Sequence, residues 1–174
     1  GPLHVIEPGG ARYDAATYPL ADAAPRRLWL REGGRLTSDA PSAEEPTDSI
    51  AYLPLGPACT ASTVQFAAGL GADDCLRPVR RATRSLNEIT YGTDPLADPL
   101  QLAGPILVSL VASSDRPDAV FHVTVEDVAP DGKAMALTGG AQLASMRALD
   151  LSRSWFDPSG ELLRPHHLLT REAS

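Results

Sequence analysis

The chain has 174 residues, 16 of them proline and 14 glycine, with 43% hydrophobic residues and a formal net charge of −7. A single domain of this size buries roughly 70% of the surface its unfolded chain exposes, so a core needs no metal or cross-link to hold it. Acidic residues spread along the chain without blocks of like charge disfavour nucleic acid and anionic membrane surfaces as partners, and no window approaches the ~18 apolar residues that cross a bilayer as a helix.

Short apolar runs punctuated by proline and glycine predict an all-β chain, read as one domain over residues 1–174. Gly1-Pro2 reads as the remnant of a cleaved expression tag. Residues 3–6 form a short apolar strand, and residues 13–19 read as a polar and aromatic loop. Arg27 to Arg31 alternate, and Glu32-Gly33-Gly34-Arg35 is a hairpin signal before Leu36. Residues 37–49 carry two prolines and no large apolar side chain, which predicts a long exposed connection. Residues 50–55 are apolar, but Pro54 demotes them to an edge strand.

A second long loop is expected over residues 56–84, which hold both cysteines, Cys59 and Cys75. Two cysteines allow a disulfide, a pair of buried thiols or half of a metal site. The last lacks nearby Cys or His ligands. A disulfide closing such a loop would contribute about 3 kcal/mol and would imply an exported parent. Arg80, Arg81 and Arg84 crowd the end of this loop and read as a solvated or internally paired face. Residues 89–91 suggest a short strand, and residues 94–100 an extended stretch held by Pro95 and Pro99.

The most ordered stretch is residues 102–147. Ile106, Val108 and Leu110 alternate with Leu107, Ser109 and Val111, and Phe121, Val123 and Val125 alternate with His122, Thr124 and Glu126, a period of two that predicts two strands. Residues 113–118 are the polar connection between them. Ala129-Pro130-Asp131-Gly132 supplies a preset φ and then a positive one, so residues 135–138 should return antiparallel as the third consecutive strand. Gly139-Gly140 predicts a bulge or corner before residues 141–146 resume the pattern. Residues 148–156 allow a helical turn, Asp157-Pro158-Ser159-Gly160 is a turn signal, and residues 161–164 read as a strand.

Chemistry-bearing residues are sparse. Acyl transfer by a serine nucleophile would need a G-x-S-x-G elbow, and the chain has none, so no catalytic residue, cofactor or metal is assigned. Adjacent His166 and His167 would point to opposite faces of a strand, and His122 reads as a surface or interface residue. Asp115 and Asp118 would suit a calcium loop, although capping of the local backbone explains the same residues. Trp29 and Trp155 offer flat surfaces for a sugar or for packing.

One resemblance joins these motifs. Gly104-Pro105 before a strand, Ser113-Ser114-Asp115 and Asp118 in the next connection, Asp127-Val128-Ala129-Pro130-Asp131-Gly132, Leu137-Thr138-Gly139-Gly140 and Ala144-Ser145-Met146-Arg147 follow one another in an order that resembles the C-terminal domain of the X-prolyl dipeptidyl-peptidase and cocaine-esterase group of serine hydrolases. The Gly33-Gly34 hairpin fits it too, so the likeness begins near Tyr18. It implies a jelly-roll β-sandwich related to galactose-binding folds, with the catalytic Ser, Asp and His on a separate upstream α/β-hydrolase domain. Members of the family run on through a Pro-Gly turn and further strands, including a Gly-His-Arg motif, that this sequence does not contain. Removing strands exposes edges, so self-association or strand exchange is expected.

The expected role is a non-catalytic domain that packs on the hydrolase domain of its parent and helps shape the site, the parent cleaving X-Pro peptides, α-amino-acid esters or acyl side chains. A carbohydrate- or small-ligand-binding module and an oligomerisation module are the alternatives.

Overall fold

The computed structural model describes residues 3–6, 12–18, 20, 23–51, 79–80 and 88–171. Among these the fold is all-β: nine strands and one 3₁₀ turn, every named strand pairing within a small sheet. The chain divides into two units, one of residues 1–25, 98–123 and 140–174, the other of residues 26–97 and 124–139.

In the first unit β1 (Leu3–Ile6) pairs antiparallel with β2 (Arg12–Ala15), Leu3 opposite Ala15 and His4 opposite Asp14. A strand therefore stands where the sequence suggested a loop. Its polar residues serve the cross-strand contacts: His4 Nδ1 lies 2.5 Å from Asp14 Oδ1, and the Arg12 guanidinium reaches the same imidazole at 3.1 Å. Such pairs stabilise a two-stranded ribbon.

Near the other end of the chain β8 (Trp155–Phe156) and β9 (Leu162–Arg164) make a second antiparallel ribbon. The Asp157-Pro158-Ser159-Gly160 turn joins them as its composition predicts. Asp157 Oδ1 accepts from Glu161 N at 2.8 Å and from the Ser159 hydroxyl at 2.7 Å, while Gly160 takes a φ of 88°. The helical turn expected before this ribbon closes once, Ser154 N bonding Asp150 O at 3.1 Å, and then gives way to β8.

In the second unit β3 (Trp29–Arg31) and β4 (Arg35–Thr37) form the anticipated hairpin, with Gly33 and Gly34 at φ values of 75° and 74° that side-chain-bearing residues resist. The strand expected at residues 89–91 is reduced to a single bridge. Gly92 alone pairs with Arg35, donating to Gly34 O at 2.9 Å and accepting from Leu36 N at 2.8 Å. Residues 52–55 of the expected edge strand lie outside the described residues.

The long hairpin, β6 (Val120–Val128) and β7 (Lys133–Leu143), runs through both units, its base in the first and its tip in the second. At the tip Gly132 N bonds Ala129 O and Ala129 N bonds Lys133 O, both at 2.8 Å, with Gly132 at a φ of 80°. This is a tight turn closed by a left-handed glycine, as Pro130 and Gly132 predict. Along β6 the expected alternation holds: Phe121, Val123 and Val125 are half-buried while His122, Thr124 and Glu126 are exposed. Ala134 on β7 and Ser145 just beyond it are the two buried residues among those described.

Two expectations in this region are corrected. Residues 106–111 form no strand, because no ladder partner reaches them among the described residues. The third strand of the sheet is instead β5 (Val79–Arg80), which lies antiparallel to β7 with Val79 opposite Ala134, in the order β5-β7-β6.

Gly139-Gly140 does not interrupt β7 either, which continues to Leu143 before the 3₁₀ turn Ala144–Met146. Its effect is subtler. Between the Ala129–Lys133 bond at the tip and the bond from Ala144 N to Ala119 O at the base, β6 spends nine residues and β7 ten. One extra residue on one strand is the count of a β-bulge, and the double glycine is the part of β7 that can absorb it with least strain.

Candidate functional site

Polar side chains close the base of the long hairpin. Asp118 ends the connection before β6, and Ser145 sits in the 3₁₀ turn after β7. Asp118 Oδ1 accepts from Ser145 N at 3.0 Å and from Ala119 N at 3.0 Å, and Oδ2 accepts from the Ser145 hydroxyl at 2.6 Å. These donors hold the Asp118 carboxyl below its ordinary value, the Ser145 hydroxyl contributing most. Three protein donors occupy the carboxylate that a calcium site would have used. Asp115 lies apart from this network, exposed beside Arg116 at 3.7 Å. The structure thus favours the capping role for Asp118 and does not bring the two aspartates together on any shared group.

Beyond Ser145 the segment is held by its own side chains. Asp150 Oδ1 accepts from Ser152 N at 3.0 Å and from the Ser152 hydroxyl at 2.6 Å, and this pair, the hydroxyl first, lowers the Asp150 carboxyl. The Ser154 hydroxyl donates to Asp150 O at 2.8 Å and accepts from His166 N at 2.9 Å. His167 sits in a bridge with Leu149, and its Nδ1 meets Arg147 O at 3.2 Å, so that nitrogen carries the proton. The hydroxyls of Ser145, Ser152, Ser154 and Ser159 all bond carboxylates or a carbonyl. Among the described residues none of them bonds a histidine ring. This geometry fixes loops; it does not prepare a nucleophile.

The tryptophans have partners as well. Arg164 stands across the ladder from Trp155 with its guanidinium carbon 4.9 Å from the ring centroid, and that of Arg27 lies 5.4 Å from the Trp29 centroid. Each indole therefore spends one face on an arginine, in the arrangement that favours cation–π attraction.

Two further contacts organise the second unit. Arg31 Nε donates to Glu45 Oε1 at 2.6 Å, and Glu32 N donates to Glu45 Oε2 at 2.7 Å, which staples the long connection of residues 37–49 back onto the β3–β4 turn. The Tyr91 hydroxyl donates to Asp48, and partial burial followed by that bond pushes the phenol up to about 12. Glu45, Asp48 and Tyr91 carry no role legible from composition or spacing, since each depends on a partner at least 13 positions away. Asp150-Leu151-Ser152 and Asp157-Pro158-Ser159 did carry a readable signal, because an aspartate two residues before a serine is a common way to close a turn. Cys59, Cys75, Arg81 and Arg84 lie outside the described residues, as does the side chain of Arg80.

Comparison with known proteins agrees with this architecture. The family model described as the X-Pro dipeptidyl-peptidase C-terminal non-catalytic domain matches residues 5–172. A Mycobacterium bovis protein named "Putative serine esterase" is 29% identical over 148 residues, which cover 85% of this chain and 23% of that protein, and its Mycobacterium tuberculosis counterpart gives the same values. The "Cocaine esterase" of a Rhodococcus species is 29% identical over 136 residues, covering 73% of this chain and 23% of that enzyme. The chain thus spans about a quarter of the length of the curated relatives it matches. No solved structure matches it significantly.

Proposed function

The chain belongs to the family of X-Pro dipeptidyl-peptidase C-terminal non-catalytic domains, and from that premise we propose that it is the β-sandwich, of jelly-roll and galactose-binding-like type over residues 1–174, that packs on the α/β-hydrolase domain of a serine esterase or peptidase. The parent would cleave esters or amides, X-Pro peptides and α-amino-acid esters among them, and this domain would wall its site with loops. Supporting the reading most directly is the match over residues 5–172 together with relatives named as esterases, in which the shared segment occupies under a quarter of the protein. That leaves ample chain for a hydrolase domain elsewhere. The hydroxyl bonding described above agrees, since the serines near His166 and His167 are committed to loop closure. A disulfide between Cys59 and Cys75 belongs to the same proposal.

The test is turnover. The 174 residues alone should not hydrolyse a p-nitrophenyl ester or an X-Pro p-nitroanilide, while the full-length parent should, and should lose activity when this segment is deleted. Hydrolysis by the isolated segment, or full activity without it, would overturn the proposal. Non-reducing peptide mapping checks the Cys59–Cys75 link.

A further inference from the structure

We propose that Asp131-Gly132, at the tip of the long hairpin, is a latent site of spontaneous aspartate isomerisation, held inactive by the closed turn and released when the tip opens. It is the one Asp-Gly pair in the sequence, and glycine sets no side chain beside the attacking nitrogen. The reaction needs no enzyme and only water as co-reactant. The Gly132 nitrogen adds to Asp131 Cγ, the hydroxyl of the carboxylic acid leaves with the amide proton as water, and a five-membered imide closes. Water then adds back. Addition at Cγ restores aspartate, whereas addition at the main-chain carbonyl breaks its bond to the Gly132 nitrogen and leaves the chain running through Cγ, an isoaspartate of unchanged mass.

In the folded chain three contacts oppose the first step. Gly132 N donates to Ala129 O at 2.8 Å, so the nucleophile is engaged in the turn. Asp131 Oδ1 accepts from Lys133 N at 3.1 Å, and Oδ2 pairs with Lys133 Nζ at 2.9 Å. Loss of water requires the protonated acid, and Lys133 holds the group as a carboxylate, its ammonium first and its amide second keeping Asp131 below the ordinary value. All three contacts belong to the closed turn. Asp131 and Lys133 are half exposed at the end of the hairpin, where opening costs less than unfolding the whole chain, and one opening frees the amide and both oxygens together. The product does not fit the turn it came from. A β-linkage adds one main-chain atom between Ala129 and Lys133, whose bond from Ala129 N to Lys133 O closes the tip at 2.8 Å. Isomerisation thus makes a transient opening permanent. The proposal does not depend on the hydrolase reading.

Peptide mapping of the 174-residue chain, aged near neutral pH both folded and in urea, tests it, with electron-transfer fragmentation to tell the two linkages apart. Isoaspartate at position 131 should accumulate at least about tenfold faster in urea than in the folded chain. K133A removes the ion pair through a half-exposed side chain, so its circular dichroism spectrum should match the wild type. It should age faster than wild type when folded and at the wild-type rate in urea. K133R keeps the positive charge and should stay near the slow folded rate. Equal rates in the folded chain and in urea overturn the proposal, as does absence of isoaspartate at position 131 in urea, a folded K133A that ages no faster than wild type, or a K133R that ages as fast as K133A.

Discussion

Asp118 and Ser145 are 27 residues apart in sequence and share two hydrogen bonds, one from the Ser145 amide and one from its hydroxyl. Those bonds tie the start of β6 to the end of β7, so the base of the long hairpin is closed by side chains as well as by the ladder. Ser145 is one of the two buried residues among those described, and this carboxylate is what satisfies its donors.

Ser145→Ala removes one bond from a buried position and should lower stability by about 1 kcal/mol. Asp118→Ala strips the acceptors from both Ser145 donors and from Ala119 N, so its melting temperature should fall further than that of Ser145→Ala. Asp118→Asn retains one oxygen and should lie between the wild type and Asp118→Ala. Thermal unfolding followed by circular dichroism ranks the three; equal losses in Asp118→Ala and Ser145→Ala would show that the carboxylate serves the hydroxyl alone.

Acid should weaken the fold through identifiable groups. Asp118, Asp131, Asp150, Asp157 and Glu45 are all held below their ordinary values by hydrogen bonds, from Ser145, Lys133, Ser152, Ser159 and Arg31 respectively. A carboxylate depressed in the folded state stabilises it above the unfolded value and loses that contribution as pH falls through the folded one. The melting temperature should therefore be insensitive to these groups near neutrality and decline below about pH 4. In Asp118→Asn the decline should be shallower.

Tyr91 provides a titration at the other end of the pH scale. Its phenol, pushed up to about 12 by partial burial and the bond to Asp48, favours the neutral form in the folded chain. The associated stability is present below the ordinary tyrosine value and lost as pH rises through the shifted one. Ultraviolet titration should show a tyrosine that ionises late, and Tyr91→Phe should remove that late step. A tyrosine spectrum unaltered in Tyr91→Phe above pH ~11 would contradict the assignment.

Gly132 has no neighbour within 4 Å of an added Cβ, so a substitution there meets only its own backbone. At a φ of 80° Gly132→Ala should cost about 1 to 2 kcal/mol, and Gly132→Asn less, since asparagine tolerates the left-handed region. Urea unfolding measures both.

What the sequence revealed follows the range of each interaction. The turns at Gly33-Gly34, Pro130-Asp131-Gly132 and Pro158-Ser159-Gly160 were legible because proline and glycine act within two or three residues. The β6 alternation was legible because period two survives any partner. The fate of residues 106–111 was not, since an apolar period states a demand for neighbours and not which neighbours arrive. β5 was hidden for the same reason: two residues inside a proline-, glycine- and arginine-rich stretch have no period, and only their pairing with Lys133 and Ala134 makes them a strand. The site was legible as composition alone. Asp118 stood out, but its partner Ser145 is one serine among many until the hairpin brings it back.

The surplus residue in β7 has a consequence for how this segment tolerates change in length. Deleting either Gly139 or Gly140 would leave the two arms of the hairpin equal, so that the ladder could run from base to tip without a bulge and Met135 and Leu137 would keep the side they now face. Loss of one residue from the regular part of β6 would instead shift its register and turn the outer half of that arm over. Changes of one residue in this hairpin should therefore be confined to the double glycine and to the turn at its tip, with even steps elsewhere along either arm.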